Sequence, residues 1–579
     1  MRPSKNVLGV VLLACVSMIL SSCGGGGYSS TTGWNYNDPD NGGFEKVPYV
    51  EQETGPGLIL IEGGTFTMGR VIDDVNYDWN NIPRRVTVSS FYMDETEVKN
   101  LDWREYLYWL NRVYGTDYPE VYKKALPDTL VWRSKLAYNE PYVNYYLRHP
   151  AYNDYPVVGV NWLQASDYCA WRTDRVNEQI LIREGLLEHF PQQVNQDHFS
   201  TDAYLAGQYD LGKVVDGIED LNPDRETRNV RMEDGIFLPI YRLPTEAEWE
   251  FAAYGLIGNS FQELVTNRKV YPWNGNYVRN DDPSDDLYGT FNANFVRGRG
   301  DYMGVAGNLN DNADVTAPVF AYPPNDYGLY NMAGNVSEWV MDVYRPLTFE
   351  DDNEFRPFRG NVYQTKMRNS EGGVEDKLTE VVYDVNGVKY FLEQFEKTSG
   401  NKWTEAEATF MGQISSEVDK AAVKETEREY DARNEFMQGA VDMIKANEDV
   451  SFGAMVLNGF SDYIESTPGN IPMRDVTIEE NIDRRNYREA DYIDYVDGDK
   501  ASSIFYETEG VDESNVMYDW GATTLINDRA RVYKGGSWAD RAYYTIPGTR
   551  RFLDERQSTA MIGFRCAMDR VGSPTGFGY

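Results

Sequence analysis

Apolar and polar positions change texture several times along the chain. Residues 58–69, LILIEGGTFTMG, hold a β-rich run, a Gly63-Gly64 turn and a second alternating run, which reads as a strand and hairpin. Residues 85–93, RVTVSSFYM, alternate again. Residues 97–110 place apolar groups at helical spacing, with 94–98 supplying the helix start. PVVGVNW at 156–162 reads as a strand-like entry to a helix at 163–172, and 173–240 is polar, acidic loop sequence with one helix near 177–189. In RLPTEAEWEFAAY, 242–254, Thr245 is a good N-cap with Glu248 as its capping-box partner, and Trp249, Ala252 and Ala253 share a stripe.

Residues 271–345 are dominated by Gly, Asn, Asp and aromatic residues and read as irregular loops held by side chains. The stretch 346–528 differs. TEVVYDVNGVKY at 379–390 reads as a hairpin turning at Asn386-Gly387. A long polar helix follows near 404–445, with Phe410, Ile414, Val418, Ala421, Phe436, Val441 and Ile444 as a partial apolar stripe. The Gly-rich, aromatic style returns at Val532 and runs to Asp569. At the other end, Arg2 and Lys5 precede an apolar run from Val7 to Leu20, too short to span a bilayer and matching a secretory signal. Leu20-Ser21-Ser22-Cys23 resembles the bacterial lipobox, in which the cysteine is lipidated and becomes the first mature residue. Gly24 to Gly27 and the polar run to about Phe44 read as a flexible tether.

Composition narrows the function classes. With 579 residues, 41% hydrophobic and 14% aromatic, the chain can build large cores, which excludes disorder throughout. A formal charge of -37 argues against nucleic acid, whose phosphates need a basic footprint. His149, His189 and His198 lie in Tyr-, Asn- and Asp-rich sequence and read as surface residues. The four cysteines, at 15, 23, 169 and 566, are too few for a disulfide-built scaffold. No C-x-x-C, H-E-x-x-H, G-x-S-x-G, Walker or dinucleotide pattern occurs.

Several separated blocks, in order, carry a family resemblance: GGTFTMG from Gly63, RVTVSSFYM from Arg85, PVVGVNW from Pro156, RLPTEAEWE from Arg242, GLYNMAGNVSEW from Gly328, then GGSW from Gly535 and GFRC from Gly563. The set resembles the formylglycine-generating enzyme-like, or sulfatase-modifying-factor, superfamily. The resemblance implies an α+β fold of C-type-lectin-like ancestry, irregular and loop-rich, with large insertions. The expected organisation is a lipoprotein signal at 1–22 and a lipid-anchored tether at 23–54. A first core part follows at 55–342 with an insert at 172–240, then a large insert at 343–529 that could pack as a satellite domain. The core closes at 530–570, and 571–579 is a tail.

In active members of that superfamily a cysteine pair after the GGSW-like motif binds copper(I), a soft ion suited to thiolates. Alignment on Arg541 puts Tyr544 and Thr549 at those positions, so the copper pair is absent and no catalytic residue is expected. Cys169 and Cys566 resemble two cysteines that form a structural disulfide in the family. Asn331, Glu338 and the carbonyls of Gly334 and Val336 resemble one calcium site, a structural one. Asn294, Asp311 and the carbonyls of Phe295 and Ala313 resemble a second. A narrower resemblance, carried by the lipobox, the degenerate copper segment and the large insert, is to the gliding-motility lipoproteins J and K of Bacteroidota, J most of all. It implies a non-catalytic structural or assembly lipoprotein of the type IX secretion and gliding apparatus, anchored in the outer membrane and mostly facing the periplasm. Lipoprotein K and its ring partner N would be neighbours. A lectin-like periplasmic binding module for glycan or peptide is the alternative.

Overall fold

A computed structural model of the chain describes residues 27–572 except 73–74, 76–79, 210–216, 223, 225, 257–268, 287, 297–312, 314, 345–354, 356, 361–362, 448, 478–479 and 481–528. The expected signal at 1–22, Cys23 and Asp311 lie outside the described residues.

The chain enters the fold through four short strands: β1 (Leu58–Ile61), β2 (Gly64–Met68), β3 (Arg84–Val88) and β4 (Phe91–Asp94). Phe66 and Met68 of β2 are buried while Thr65 and Thr67 face outward, the period-2 pattern of a half-buried strand. The expected hairpin at 58–69 does not form. β1 pairs with β4 (Ile59 opposite Met93) and β2 with β3 (Phe66 opposite Val86), so the Gly63-Gly64 step passes the chain between sheets. Helix α1 (Asn100–Tyr114) starts later than the sequence suggests, with the Asp102 carboxylate accepting from Lys99 N at 3.2 Å. The strand expected at 156–162 reduces to one bridge, Lys99 to Pro156. Helix α2 (Trp162–Arg183) runs unbroken over the helix expected at 163–172 and into the one expected at 177–189, ending at Arg183 short of 189, and is started by a reciprocal Asn161–Gln164 cap (2.8 and 2.9 Å).

Next come β5 (Tyr241–Arg242), α3 (Glu246–Tyr254) and β6 (Ser337–Val343). The cap of α3 is the expected one: Thr245 N donates to Glu248 Oε2 at 2.8 Å and Glu248 N to Thr245 Oγ1 at 3.2 Å. The later insert contributes β7 (Val382–Tyr383), α4 (Val385–Ser399), α5 (Glu405–Glu427), α6 (Tyr430–Lys445), α7 (Val450–Ser461) and β8 (Ile464–Ser466). The closing segment supplies β9 (Ala530–Lys534), β10 (Arg551–Asp554), β11 (Ile562–Gly563) and β12 (Ala567–Asp569). Two four-stranded sheets result, in the orders β1-β4-β12-β5 and β10-β9-β6-β11. The closing segment therefore provides an interior strand to each sheet, and the core is incomplete without it. The architecture is mixed α+β with much irregular chain between elements.

Four expectations about the insert and the amino-terminal segment are corrected. Residues 379–390 are not a hairpin. Only Val382 and Tyr383 are extended, pairing with β8, and Asn386-Gly387 lies in the first turn of α4 because Asp384 caps that helix by accepting from Gly387 N at 2.9 Å. The helix expected at 404–445 is two helices, broken at Arg428, whose φ of 61° ends α5 in the left-handed conformation. The described part of the insert does not pack as a separate satellite, since Ile414, Val441, Val456 and Phe460 belong to one continuous apolar core with Trp103, Val113 and Trp339. Polar contacts at the same join include Tyr114 Oη to Pro468 O (3.0 Å) and Lys123 Nζ to Asn458 Oδ1 (2.8 Å). Finally, the segment from Gly27 onward is folded and docked rather than a free tether, with Glu53 pairing Arg183 at 2.7 Å and Glu51 pairing Arg570 at 2.8 Å.

Candidate functional site

The segment that carries copper cysteines in the resembling enzymes follows β9. Gly536, at φ +69°, has no room for a side chain: a Cβ would sit 2.8 Å from the backbone of Tyr544. Ser537 then donates through N (2.9 Å) and Oγ (2.6 Å) to Asp540 Oδ2. Arg551 closes on the same carboxylate with two bonds of 2.6 and 2.7 Å, and its guanidinium lies 4.6 Å from the Tyr544 ring centre. Tyr544 sits on a short 3-10 turn, Ala542–Thr545, and Thr549 Oγ1 donates to Tyr543 O at 3.1 Å. Both residues border a cavity of about 50 Å³ whose described lining includes Arg70, Asn81, Tyr543 and Ile546 and holds neither Cys nor His. That volume is far below the roughly 300–1,000 Å³ of ordinary ligand pockets. Phenol and hydroxyl oxygens are hard donors and do not make the thiolate pair a copper(I) ion requires. Among the described residues no group of three or more His, Cys, Asp or Glu is placed to hold a metal.

Behind the cavity lies a buried ionic cluster that the sequence reading did not single out. Lys534 Nζ reaches Glu250 at 3.0 Å and Glu246 at 3.3 Å, and Arg550 Nε donates to Glu246 at 2.6 Å. Glu250 also accepts from Gly69 N at 2.6 Å, tying the end of β2 to α3. Burial opposes charge on Glu246, but Arg550 and Lys534 override it and hold its carboxyl down at about 2. Burial and the neighbouring Glu246 carboxylate push Asp342 up to about 7. The available signal was the Glu246 and Glu250 spacing, which places both acids one helical turn apart, facing the lone Lys of β9.

The residues expected at the first calcium site are brought together, but with other partners. Arg565 donates to Glu338 through Nε (2.7 Å) and Nη2 (2.7 Å), and Trp249 Nε1 adds a third bond at 2.7 Å. Glu338 and Arg565 are both fully buried. Asn331 turns its amide to Glu97 (2.9 Å), which also receives Asn335 Nδ2 at 2.9 Å. A calcium ion takes six to eight oxygens, and a carboxylate already holding a guanidinium and an indole has little to give it. As arranged, Asn331, Gly334, Val336 and Glu338 do not fit that ion. At the second expected site, Asn294 Nδ2 donates to Val315 O at 2.8 Å, while Asp311 lies outside the described residues, so Asn294, Phe295 and Ala313 form no described donor set with it. Glu97, read from sequence only as part of a helix start, is the acid this loop is built around. Burial and then the Glu338 charge lift its carboxyl to about 8.

Cys169 on α2 and Cys566 beside β12 lie with their sulfurs 3.3 Å apart, both buried thiols in this structure. Burial, then the adjacent Cys169, raises the Cys566 thiol well above its ordinary value. His198 was expected on the surface and is instead buried at 3% exposure, bonded through Nδ1 to Asn195 O at 2.7 Å, and burial lowers it to about 3. Its neutral ring is packed against Trp109 and Tyr114, which polar flanking sequence did not reveal. His149 and His189 are exposed, as expected.

With the geometry in place, the comparisons with known proteins fall into line. The model of the sulfatase-modifying factor enzyme 1-like domain matches residues 43–382. Over 285 residues the chain is 29% identical to the formylglycine-generating enzyme of Mus musculus, covering 49% of this chain and 58% of that protein. It is 26% identical over 331 residues to the inactive C-alpha-formylglycine-generating enzyme 2 of Bos taurus, covering 52% and 75%. It is 25% identical over 336 residues to the chaperone protein LppX of Paenibacillus barcinonensis, covering 57% and 85%. The matched stretch thus leaves a large part of the mouse enzyme uncovered, and more than half of this chain's length lies in the family domain. The chain belongs to the sulfatase-modifying factor enzyme 1-like domain family.

Proposed function

We propose that the chain is a non-catalytic member of this family acting as an assembly lipoprotein of the type IX secretion and gliding-motility machinery. The observation that carries the non-catalytic part is the site itself, where Tyr544 and Thr549 border a cavity of about 50 Å³ with no thiol among its described lining residues. Its similarity to an enzyme relative described as inactive and to a bacterial chaperone protein is in keeping with that reading. The lipobox-like Cys23 supports anchoring to the outer membrane, and among the described residues no helix is long and apolar enough to cross one. The described part of the insert, joined to the core through shared apolar packing, would offer a surface to partners such as lipoprotein K and its ring partner N. Crosslinking with mass spectrometry in native membranes tests the assembly role. Crosslinks from the insert to periplasmic secretion components are expected, and a deletion strain that secretes and glides normally would overturn it.

A further inference from the structure

Residues 27–46 are folded into a small knuckle. Tyr28 and Asn35 pair as an antiparallel bridge, Ser29 N donates to Trp34 O at 2.7 Å, and Asn37 N donates to Phe44 O at 2.9 Å. Asn37 also grips Lys46 through its side chain, accepting from Lys46 N at 2.7 Å and donating to Lys46 O at 3.2 Å. The knuckle is clamped to the body. Glu45 pairs with the buried guanidinium of Arg228 and accepts from Leu221 N at 3.2 Å. Gly43, at φ +71°, lies so near the body that a Cβ there would stand 2.0 Å from Leu221 O.

A clamped segment of this kind would ordinarily turn its large apolar groups inward, and this one does the reverse. Tyr28 is 73% exposed, Trp34 58% and Phe44 66%, followed by Tyr49 at 64% and Val50 at 78%. Phe44 packs against the ring of Tyr36 at 5.6 Å. The charges of 27–50 are Asp38, Asp40, Glu45 and Lys46, which gives no basic patch for anionic lipid. Exposed Tyr, Trp and Phe side chains on one short folded segment with little net charge have the chemistry of an interfacial belt, where amphipathic rings settle at headgroup level.

Chain length decides the occupant. Cys23 precedes Tyr28 by five positions, so even a fully extended link is no longer than about 18 Å. If that cysteine is lipidated, the knuckle cannot leave the neighbourhood of the bilayer surface. We infer that the aromatic knuckle formed by Tyr28, Trp34 and Phe44 is a foot that inserts into the headgroup layer of a zwitterionic phospholipid membrane and fixes the orientation of the body on it. The inference rests on the lipoprotein reading of Cys23.

The test uses the full-length, processed protein in vesicles of phosphatidylcholine and phosphatidylethanolamine containing a photoreactive phospholipid with its probe near the headgroup. Crosslinked peptides are mapped by mass spectrometry. Lipid adducts are expected on 28–50, and the combined Tyr28→Ser, Trp34→Ser and Phe44→Ser variant cuts their yield roughly tenfold, as loss of three interfacial anchors should. Its melting temperature stays at the parent value, because the removed groups are exposed. Lipid on Cys23 with no adducts at 28–50 overturns the foot while leaving the anchor standing. Adducts undiminished in the triple variant overturn aromatic insertion, and protein rather than lipid adducts at 28–50 overturn the choice of occupant. An intact mass without lipid at Cys23 overturns the lipoprotein reading itself.

Discussion

Arg565 grips Glu338 with two bonds of 2.7 Å at the centre of the fold, where neither side chain is exposed to solvent. Arg565 also donates to Tyr330 O at 2.7 Å and Asp94 O at 3.1 Å. One side chain of the closing segment thereby links the Glu338 strand, the loop before it and the end of β4. Removing one partner of such a pair leaves an unpaired buried charge. Arg565→Met is expected to lower unfolding free energy by about 3–5 kcal/mol, read from denaturant melts. A change under about 1 kcal/mol would show that the pair contributes little.

The same geometry speaks to calcium. Because Glu338 is engaged by Arg565 and Trp249, chelation with EDTA should leave the melting temperature of the purified protein where it was. A marked fall on chelation, reversed by added calcium, would place an ion in this loop after all.

Stability should decline from about pH 4 to about pH 8. Glu97, held near 8 against an ordinary 4.5, and Asp342, held near 7, keep their protons in the folded state. A group whose folded pKa is raised stabilises fully below its unfolded value and loses that contribution as pH climbs through the folded one. Glu246 works in the opposite sense and gives way only as pH falls toward 2, outside this window. Melting temperature against pH is the measurement. Glu97→Gln lowers the acid-side value, because its amide meets the Asn335 donor, and flattens the slope. A wild-type profile rising from about pH 5 to about pH 8 would contradict the protonated assignment.

Cys169 and Cys566 stand 397 positions apart in sequence with adjoining sulfurs. In an oxidising compartment the mature protein is expected to carry one bridge between them, detected by non-reducing peptide mass spectrometry. Reduction should cost about 2–5 kcal/mol, since the bridge closes a very long loop. Free thiols at both positions in protein isolated without reductant would dismiss the bridge.

The shared core predicts that the insert cannot be weakened in isolation. Phe460 of α7 is fully buried and contacts the rings of Tyr383 and Phe391. Phe460→Ala should cost about 3–5 kcal/mol in a single cooperative transition. Two separate transitions, with only one shifted, would mean that the insert unfolds alone.

Local chemistry was legible where it was self-contained. The Thr245–Glu248 cap, the alternation of β2 and the absence of thiols at Tyr544 and Thr549 could all be read from neighbouring residues. What could not be read was set by distant partners. Asn386-Gly387 is a strong turn signal, yet Asp384 captures Gly387 N and starts a helix, because Val388 and Leu392 have an apolar core to enter. Gly63-Gly64 suggested a turn between two paired strands, but their partners lie at 84–94. Glu97 and Glu338 carry no local mark of burial; only the return of Arg565, far along the chain, makes a charged centre tolerable there.

The central claim, a family fold without the family's chemistry, is tested most directly by a turnover assay. The purified protein is loaded with copper(I) under air and incubated with a cysteine-containing sulfatase peptide, and the peptide is followed by mass spectrometry for conversion of its thiol to an aldehyde. With Tyr544 and Thr549 where thiolates are required, conversion should equal the protein-free blank. Aldehyde formation above that blank, abolished by removing copper, would contradict the account.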